Sequence, residues 1–156
     1  MKAFFGFVFL LLLSSCVSFK NPEFKSMDGY TFDGIEGNQV KFTVKATVYN
    51  PNFYTLKVKP SKVNVYADNQ HYGILNLTKT QKMKRKKDTK LEVPMRFDMA
   101  DGAMMGMMLL MRKDKVNLKL DGKVKGGVYF FSKKFPVNYE RAISPKELGL
   151  KNMLKF

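Results

Sequence analysis

The single cysteine is the residue of this chain with the most distinctive chemistry. Cys16 is the only thiol and His71 the only imidazole in 156 residues, so neither an internal disulfide nor a two-histidine metal site can form. The 13 carboxylates show no spacing typical of acid–base catalysis, and the sequence contains no phosphate-binding loop or nucleophile motif. We therefore expect no enzyme activity, no catalytic residues and no cofactor.

The residues before Cys16 resemble a bacterial lipobox. Lys2 is followed by an uncharged apolar run over residues 4–13, and Ser14 and Ser15 then precede the cysteine. Ten helical residues would cross only about half of a ~30 Å hydrocarbon core, which indicates a signal peptide and not a spanning helix. Small side chains leave the backbone open to a peptidase, and the thiol can accept a diacylglyceryl group. The alternative is an ordinary secretory signal with an unrelated cysteine.

Acylation at Cys16 would decide where the protein works. Fatty chains such as palmitate contribute about 0.8 kcal/mol per buried CH₂, so several chains hold a protein on a membrane. Val17 follows the cysteine, which by analogy with sorting in enteric bacteria favours the outer membrane. The prediction is a bacterial cell-envelope lipoprotein, anchored by its N-terminal lipid and facing the periplasm.

The basic charge of the chain favours an acidic partner. Lys and Arg number 28 against 13 Asp and Glu, giving a formal charge of +15. The densest run lies within residues 81–90 and contains Lys82, Lys84, Arg85, Lys86, Lys87 and Lys90. One interpretation is contact with an anionic surface, at about 1 kcal/mol per cation near an anionic leaflet; the other is a solvated loop that blunts a sheet edge. Nucleic acid is disfavoured by export and by the lack of paired stacking aromatics.

A methionine-rich segment could bind a soft ligand. Of the 11 methionines, four follow helical spacing on one predicted face: Met104, Met107, Met108 and Met111. Thioethers can bind Cu(I) in an exported protein, so one hypothesis is a carrier of Cu(I) or of a hydrophobic ligand. The alternatives are packing of adaptable side chains against the sheet, or a groove for an acyl chain or a partner helix.

Period-two alternation dominates the chain after residue 38 and predicts strands. Apolar residues at Val40, Phe42, Val44, Ala46 and Val48 alternate with polar ones, which is typical of a half-buried strand. Further rows lie over 56–58, 63–67, 91–97, 128–131 and 135–139, and Pro94 places the 91–97 strand at an edge or a bulge.

Turn signals define how these strands connect. A two-residue loop at Asp68-Asn69 would pair Val65 with Tyr72. Residues 115–125 are predicted as one strand with a bulge or close approach at Gly122, because a hairpin there would turn two lysines inward. This strand is expected to end at Gly126-Gly127, before the next strand begins.

About seven strands without alternating helices predict an all-β fold, an antiparallel β-sandwich. One short helix, over 99–112 with Asp98 as N-cap, is inserted before the last strands. Ser144-Pro145 predicts the start of a C-terminal helix. The expected organisation is a lipoprotein signal peptide over 1–15, a lipidated N-terminus and tether over 16–37, the β-sandwich over 38–140, and a C-terminal short helix and tail over 141–156.

The end of the first alternating strand carries a family resemblance. Asn50-Pro51-Asn52, then a short apolar strand, then Val63-x-Val65-Tyr66-Ala67-Asp68-Asn69 resemble the late embryogenesis abundant type 2 family, also called the water-stress and hypersensitive-response (WHy) domain. Pro51 ends the ladder, and both asparagines can fix the turn through backbone hydrogen bonds. The resemblance implies an immunoglobulin- or fibronectin-III-like sandwich, structural roles for these three residues, and a protective or interaction function without catalysis. An envelope protein or an anionic surface is the expected partner.

Overall fold

The computed structural model describes residues 19–128 and 131–145. Within these residues it contains nine strands and one helix. The elements are β1 (Glu23–Glu36), β2 (Gln39–Asn50), β3 (Leu56–Val58), β4 (Ser61–Ala67), β5 (Gln70–Leu77), β6 (Gln81–Met83), β7 (Lys87–Met99), α1 (Ala103–Leu110), β8 (Val116–Val128) and β9 (Phe131–Ile143). In this part of the chain, no helix has the length and apolarity needed to cross a bilayer.

All strands belong to one antiparallel sheet. Its order is β1-β2-β7-β5-β4-β8-β3-β6, and β9 pairs with the other edge of β8. The path turns back on itself, because Asn50 at the end of β2 donates a hydrogen bond to the Met83 carbonyl at the end of β6 over 3.1 Å. The mostly-β antiparallel fold with one short helix before the last strands is as predicted.

The alternating row of β2 pairs along its whole length with β7. Phe42 lies opposite Met95 and Val44 opposite Val93, so apolar side chains share one face of the two strands. Pro94 predicted an edge strand or a bulge, and the structure shows neither. Strand β7 lies between β2 and β5, and its register with β2 continues unshifted through Thr43 opposite Pro94. The proline is accommodated because pairing with β5 begins only at Met95.

Most of the predicted tether is a strand. Residues Glu23–Glu36 form β1, an edge strand on β2, so the sheet begins well before residue 38. Gly29 and Gly34 have φ angles of 129° and 132°, and each sits at a register shift of the β1–β2 pair. These glycines therefore mark irregularities within a ladder, which period-two patterns do not reveal.

The long strand β8 confirms one turn prediction and corrects another. Asp121-Gly122 is not a turn, and a Cβ on Gly122 would lie 2.8 Å from the Lys62 carbonyl oxygen, which makes it a close-approach point in an unshifted register. The predicted break at 126–127 is wrong. Both glycines pair with β9, and the ladder continues to Val128 opposite Phe131.

The Asp68-Asn69 hairpin loop is confirmed, but its register is not. Both residues have positive φ, 48° and 66°, which suits a two-residue hairpin turn. A register shift between Val65 and Tyr66 places Val65 opposite Gly73 and not opposite Tyr72. Tyr72 is consequently buried, at 5% exposure, in the core cluster with Ala67, Ala103 and Val116.

The helix is shorter than predicted and starts differently. Asp98 is not its N-cap, because β7 continues to Met99, opposite Gly73 of β5. The N-cap is Gly102, in left-handed geometry with φ 74°, and α1 covers only Ala103–Leu110. Asp98 instead forms an ion pair with Arg96, with Nε and Oδ1 2.8 Å apart. The predicted C-terminal helix falls mostly outside the described residues.

Candidate surface-binding sites

The Asn50-Pro51-Asn52 motif lies at one end of the sheet and is buried. Asn50 is 0% exposed and Asn52 2% exposed. The Asn50 amide donates to the carbonyls of Tyr54 (2.8 Å) and Met83 (3.1 Å). Its oxygen accepts from the backbone and side-chain nitrogens of Asn52, at 3.0 and 2.9 Å. Such saturation of a buried amide is typical of a structural role.

Asn52 fastens the N-terminal segment to this end of the sheet. Its Nδ2 donates to the Lys20 carbonyl over 2.7 Å, and its Oδ1 accepts from the Lys20 amide over 2.9 Å. The Asn52 side chain thus pairs with both backbone groups of Lys20, as a residue of a neighbouring strand would. Lys20 lies only four positions after Cys16, and Cys16 itself, like the whole of the predicted signal peptide, lies outside the described residues.

The predicted basic run lies at the same end as Asn52. Lys84, Arg85, Lys86 and Lys87 are exposed at the β6–β7 connection, and Lys82 and Lys90 are exposed on the two flanking strands. The Lys86 amide donates to the Asn52 carbonyl over 3.1 Å. We call this region, comprising residues 52–53, 84–87 and 131, the basic end.

Two exposed aromatic side chains accompany the cations of the basic end. Phe53 is 79% exposed and Phe131 83% exposed, and Lys86 Nζ lies 4.2 Å from the centroid of the Phe53 ring. Phe131 begins β9 opposite Val128, at the end of β8 nearest β3. Sequence reasoning did not include these aromatics. Phe53 lies outside every alternating row, and Phe131 ends the predicted 128–131 row, where no pattern marks it as exposed.

The methionine-rich helix lies at the other end of β7. Twelve steps of about 3.3 Å separate Lys87 from Met99, or roughly 40 Å. The predicted methionine face is divided. Met107 packs against the core cluster, whereas Met104 and Met108 are 44% and 53% exposed, and Met111 is the C-cap residue. A cavity of about 350 Å³ beside α1 is lined by Tyr72, Met105, Leu109 and Leu110, among others.

A contact between the β4–β5 turn and the segment after α1 stabilises the end of the molecule that carries α1, which we call the helix end. Lys113 Nζ donates to Asp68 over 2.6 Å, and the Asn117 amide donates to the same carboxylate over 2.9 Å. These bonds lower the pKa of Asp68, the Lys113 bond contributing most, and raise the pKa of Lys113 through the same bond.

A basic groove crosses the polar face of the sheet, and sequence reasoning missed it. It has a volume of about 780 Å³, and its charged lining residues are Lys62, Arg96, Asp121, Lys123, Lys125 and Lys134. These lysines are distributed over β4, β8 and β9, so only strand register brings them together. No group of three or more His, Cys, Asp or Glu side chains that could hold a metal occurs in the described ranges.

Comparison with solved structures defines the class of fold. An Archaeoglobus fulgidus protein of known crystal structure is similar at a TM-score of 0.55 and 10% identity, over 78% of this chain and 97% of that one. An Arabidopsis thaliana protein is similar at a TM-score of 0.46 and 12% identity, over 81% of this chain and 79% of that one. A putative late embryogenesis abundant protein is similar at a TM-score of 0.40 and 16% identity, over 89% of this chain and 77% of that one. The chain thus shares the archaeal protein's fold.

The family follows from the sequence match. The family model described as late embryogenesis abundant protein (LEA_2) matches residues 45–141, which is more than half of the chain, so the chain belongs to this family. A comparison with curated proteins gave no match. The matched range includes the Asn50-Pro51-Asn52 motif on which the resemblance was based.

Proposed function

We propose that this protein is a lipid-anchored component of a bacterial envelope, whose sheet domain binds or shields other envelope components and catalyses no reaction. The observation that carries the proposal is the attachment of Lys20 to Asn52 at the basic end, four residues after the lipobox cysteine. We further infer an immunoglobulin- or fibronectin-III-like packing of the sheet in two layers, which the hydrogen bond between β2 and β6 supports.

The short segment between Cys16 and Lys20 limits the distance between the proposed anchor and the basic end. Four residues span at most about 14 Å, so an acylated Cys16 would hold Lys20 within that distance of the bilayer surface. Asn52, whose side chain binds Lys20, also accepts a backbone hydrogen bond from Lys86 through its carbonyl oxygen. The cations and exposed phenylalanines of the basic end would therefore face the membrane that carries the anchor, where anionic headgroups attract lysine and arginine. Placement in the outer membrane, facing the periplasm, is part of the proposal.

Acylation is tested by labelling cells with radioactive palmitate. Cells that express the natural chain and Ser15→Ala should yield labelled protein in the membrane fraction, because Ser15→Ala keeps a small residue before the cysteine. Cys16→Ala should yield no label. Absence of label in the natural chain, or its recovery as a free cytosolic protein, would refute the anchor.

The interaction role is tested separately, in intact envelopes. A photo-crosslinking amino acid placed at Arg85 should capture lipid or an envelope protein, and the same residue placed at Lys119 on the sheet face provides the comparison. Equal capture at both positions would argue against a membrane-facing basic end.

A second candidate function is a carrier of a hydrophobic ligand or of Cu(I), favoured by the apolar cavity beside α1. Native mass spectrometry of protein extracted from membranes should then show a bound mass, which Leu109→Lys at the cavity lining would remove. Anaerobic titration with Cu(I) tests the metal. An unshifted mass and an absence of Cu(I) binding would exclude both forms of this function.

A further inference from the structure

The basic groove is built from a row of residues in direct register across four strands. Arg96 of β7 lies opposite Asn76 of β5, Asn76 opposite Lys62 of β4, and Lys62 opposite Lys123 of β8. Register partners on neighbouring strands project from the same face of a sheet. Two residues further along β8, Lys125 lies opposite Lys134 of β9. The register therefore gathers four lysines and one arginine on a single face.

These lysines form like-charged pairs that destabilise a sheet unless something neutralises them. Directly opposed side chains have Cβ atoms about 5 Å apart, and like charges at that separation repel. Within the described residues, no carboxylate lies within 4.0 Å of the Nζ atoms of Lys62, Lys123, Lys125 or Lys134. Among the residues that the structure describes, Asp121 is the only acid that lines the groove. The groove thus carries an excess of uncompensated positive charge.

The base of the groove is polar and fixed. Asn76 is 5% exposed, and its Nδ2 donates to Asp98 Oδ2 over 2.9 Å and to the Arg96 carbonyl over 3.2 Å. Asp98 also pairs with the Arg96 guanidinium, so the charge of Arg96 is neutralised within the protein. The four lysines remain available to a ligand.

We propose that this groove binds an anion that carries two or more phosphate groups. A phosphate monoester carries roughly −1.5 to −2 charges at neutral pH, so two of them would neutralise the four lysines. Lysine binds phosphate as a compact point charge, and the volume of about 780 Å³ accommodates a small multiply phosphorylated group. The site lies on the sheet face, outside the basic end, and does not depend on the acyl anchor.

The test is isothermal titration calorimetry on the full chain in nonionic detergent. Inorganic tripolyphosphate represents a free linear phosphate anion, and inositol trisphosphate represents phosphates on a ring, as in a lipid or glycan headgroup. Both should bind more tightly than orthophosphate, and the tighter of the two identifies the source. Lys123→Gln/Lys134→Gln should weaken the tighter ligand at least tenfold.

A matched double variant separates a site from general charge. Lys119→Gln/Lys133→Gln removes the same charge from the same two strands outside the groove lining and should change affinity less than threefold. Equal losses in the two double variants, or no preference over orthophosphate, would overturn the proposal.

A stability measurement without ligand gives an independent readout. The double variant Lys123→Gln/Lys134→Gln removes one lysine from each of the two like-charged pairs, so its melting temperature should exceed that of the natural chain. Saturating tripolyphosphate should raise the melting temperature of the natural chain more than that of the variant. A lower melting temperature for this variant without ligand would contradict the unrelieved repulsion on which the proposal depends.

Discussion

At the scale of single residues, two buried asparagines hold distant segments of the chain together through their side-chain hydrogen bonds. Asn50 satisfies both its amide hydrogens and its oxygen inside the protein, and Asn52 binds one residue of a distant segment twice. Pro51 between them ends β2, because it has no N–H to donate to the ladder and holds the preceding residue in an extended conformation. The sequence indicated structural asparagines, but their partners Lys20 and Met83 are 32 and 33 positions away, beyond any local pattern.

Truncation of Asn50 should therefore be severely destabilising. Asn50→Ala leaves the Tyr54 and Met83 carbonyls without this donor in a buried site, and we expect a loss of about 2–4 kcal/mol in the free energy of unfolding. Urea denaturation measures it. Asn138→Ala, at an exposed position of β9, should change stability by less than about 0.5 kcal/mol. Similar effects of the two substitutions would mean that the buried network contributes little.

Asp68 should make stability depend on pH. Its pKa is lowered in the folded protein by Lys113 and Asn117, so its stabilising effect is full above pH about 4 and is lost as pH falls through the lower folded pKa. Asp68→Asn, which tolerates the positive φ, should be less stable than the natural chain at pH 7, and the difference should shrink below pH 4. Asp114→Asn in the neighbouring loop is the control. A difference that stays constant with pH would exclude the ionised contact.

At the scale of elements, the period of two located the central strands but not the edges. The row from Val40 to Val48 and the long strand through Gly122 were readable because burial on one face forces alternation. Strand β1 was not, because an edge strand that is largely exposed has no need of alternation and its glycines imitate a linker. The start of α1 was misplaced since Asp98 can cap a helix or extend a strand, and only the pairing with β5 decides between them.

Register is the part of the site that the sequence could not supply. The basic run is local and was recognised, whereas the basic groove depends on which residues lie opposite each other on β7, β5, β4, β8 and β9. The one extra residue on β5, Tyr72 between the partners of Val65 and Tyr66, already changes which residues of β4 and β5 lie opposite each other. Long-range charge clusters of this kind become visible only when the strand order is known.

Close packing between β4 and β8 should make Gly122 intolerant of a side chain. A Cβ there would lie 2.8 Å from the Lys62 carbonyl and 2.9 Å from Val63 Cα, both backbone atoms that cannot rotate away. Gly122→Ala should reduce the free energy of unfolding by about 1–3 kcal/mol, measured by urea denaturation. Asp121→Ala, next to it and exposed, is the control and should have a smaller effect. Equal stability of Gly122→Ala and the natural chain would refute the close approach.

At the scale of the whole molecule, the two ends of the sheet have opposite characters. The basic end combines cations, two exposed phenylalanines and the attachment of the N-terminal segment. The helix end exposes Met104, Met105, Met108 and Leu109. Since β7 runs from one end to the other, an anchor at the basic end would present the apolar helix away from the bilayer.

This polarity predicts end-specific binding to anionic vesicles. In the full chain with Cys16→Ala, Arg85→Gln/Lys86→Gln at the basic end should weaken flotation with phosphatidylglycerol vesicles by roughly tenfold or more, at about 1 kcal/mol per cation. Arg112→Gln/Lys115→Gln removes the same two residue types at the helix end and should have little effect. Binding should also fall with salt. Equal weakening by both pairs would show that net charge, and not the basic end, determines the contact.

The double hydrogen bond between Lys20 and Asn52 also has a mechanical consequence. Tension applied from the N-terminal side would reach the Asn52 amide before the first pair of the β1–β2 ladder, Glu23 opposite Tyr49. Peeling of the exposed edge strand would then require rupture of a buried side chain's bonds first. Asn52 would thus protect the sheet from forces transmitted along the N-terminal segment.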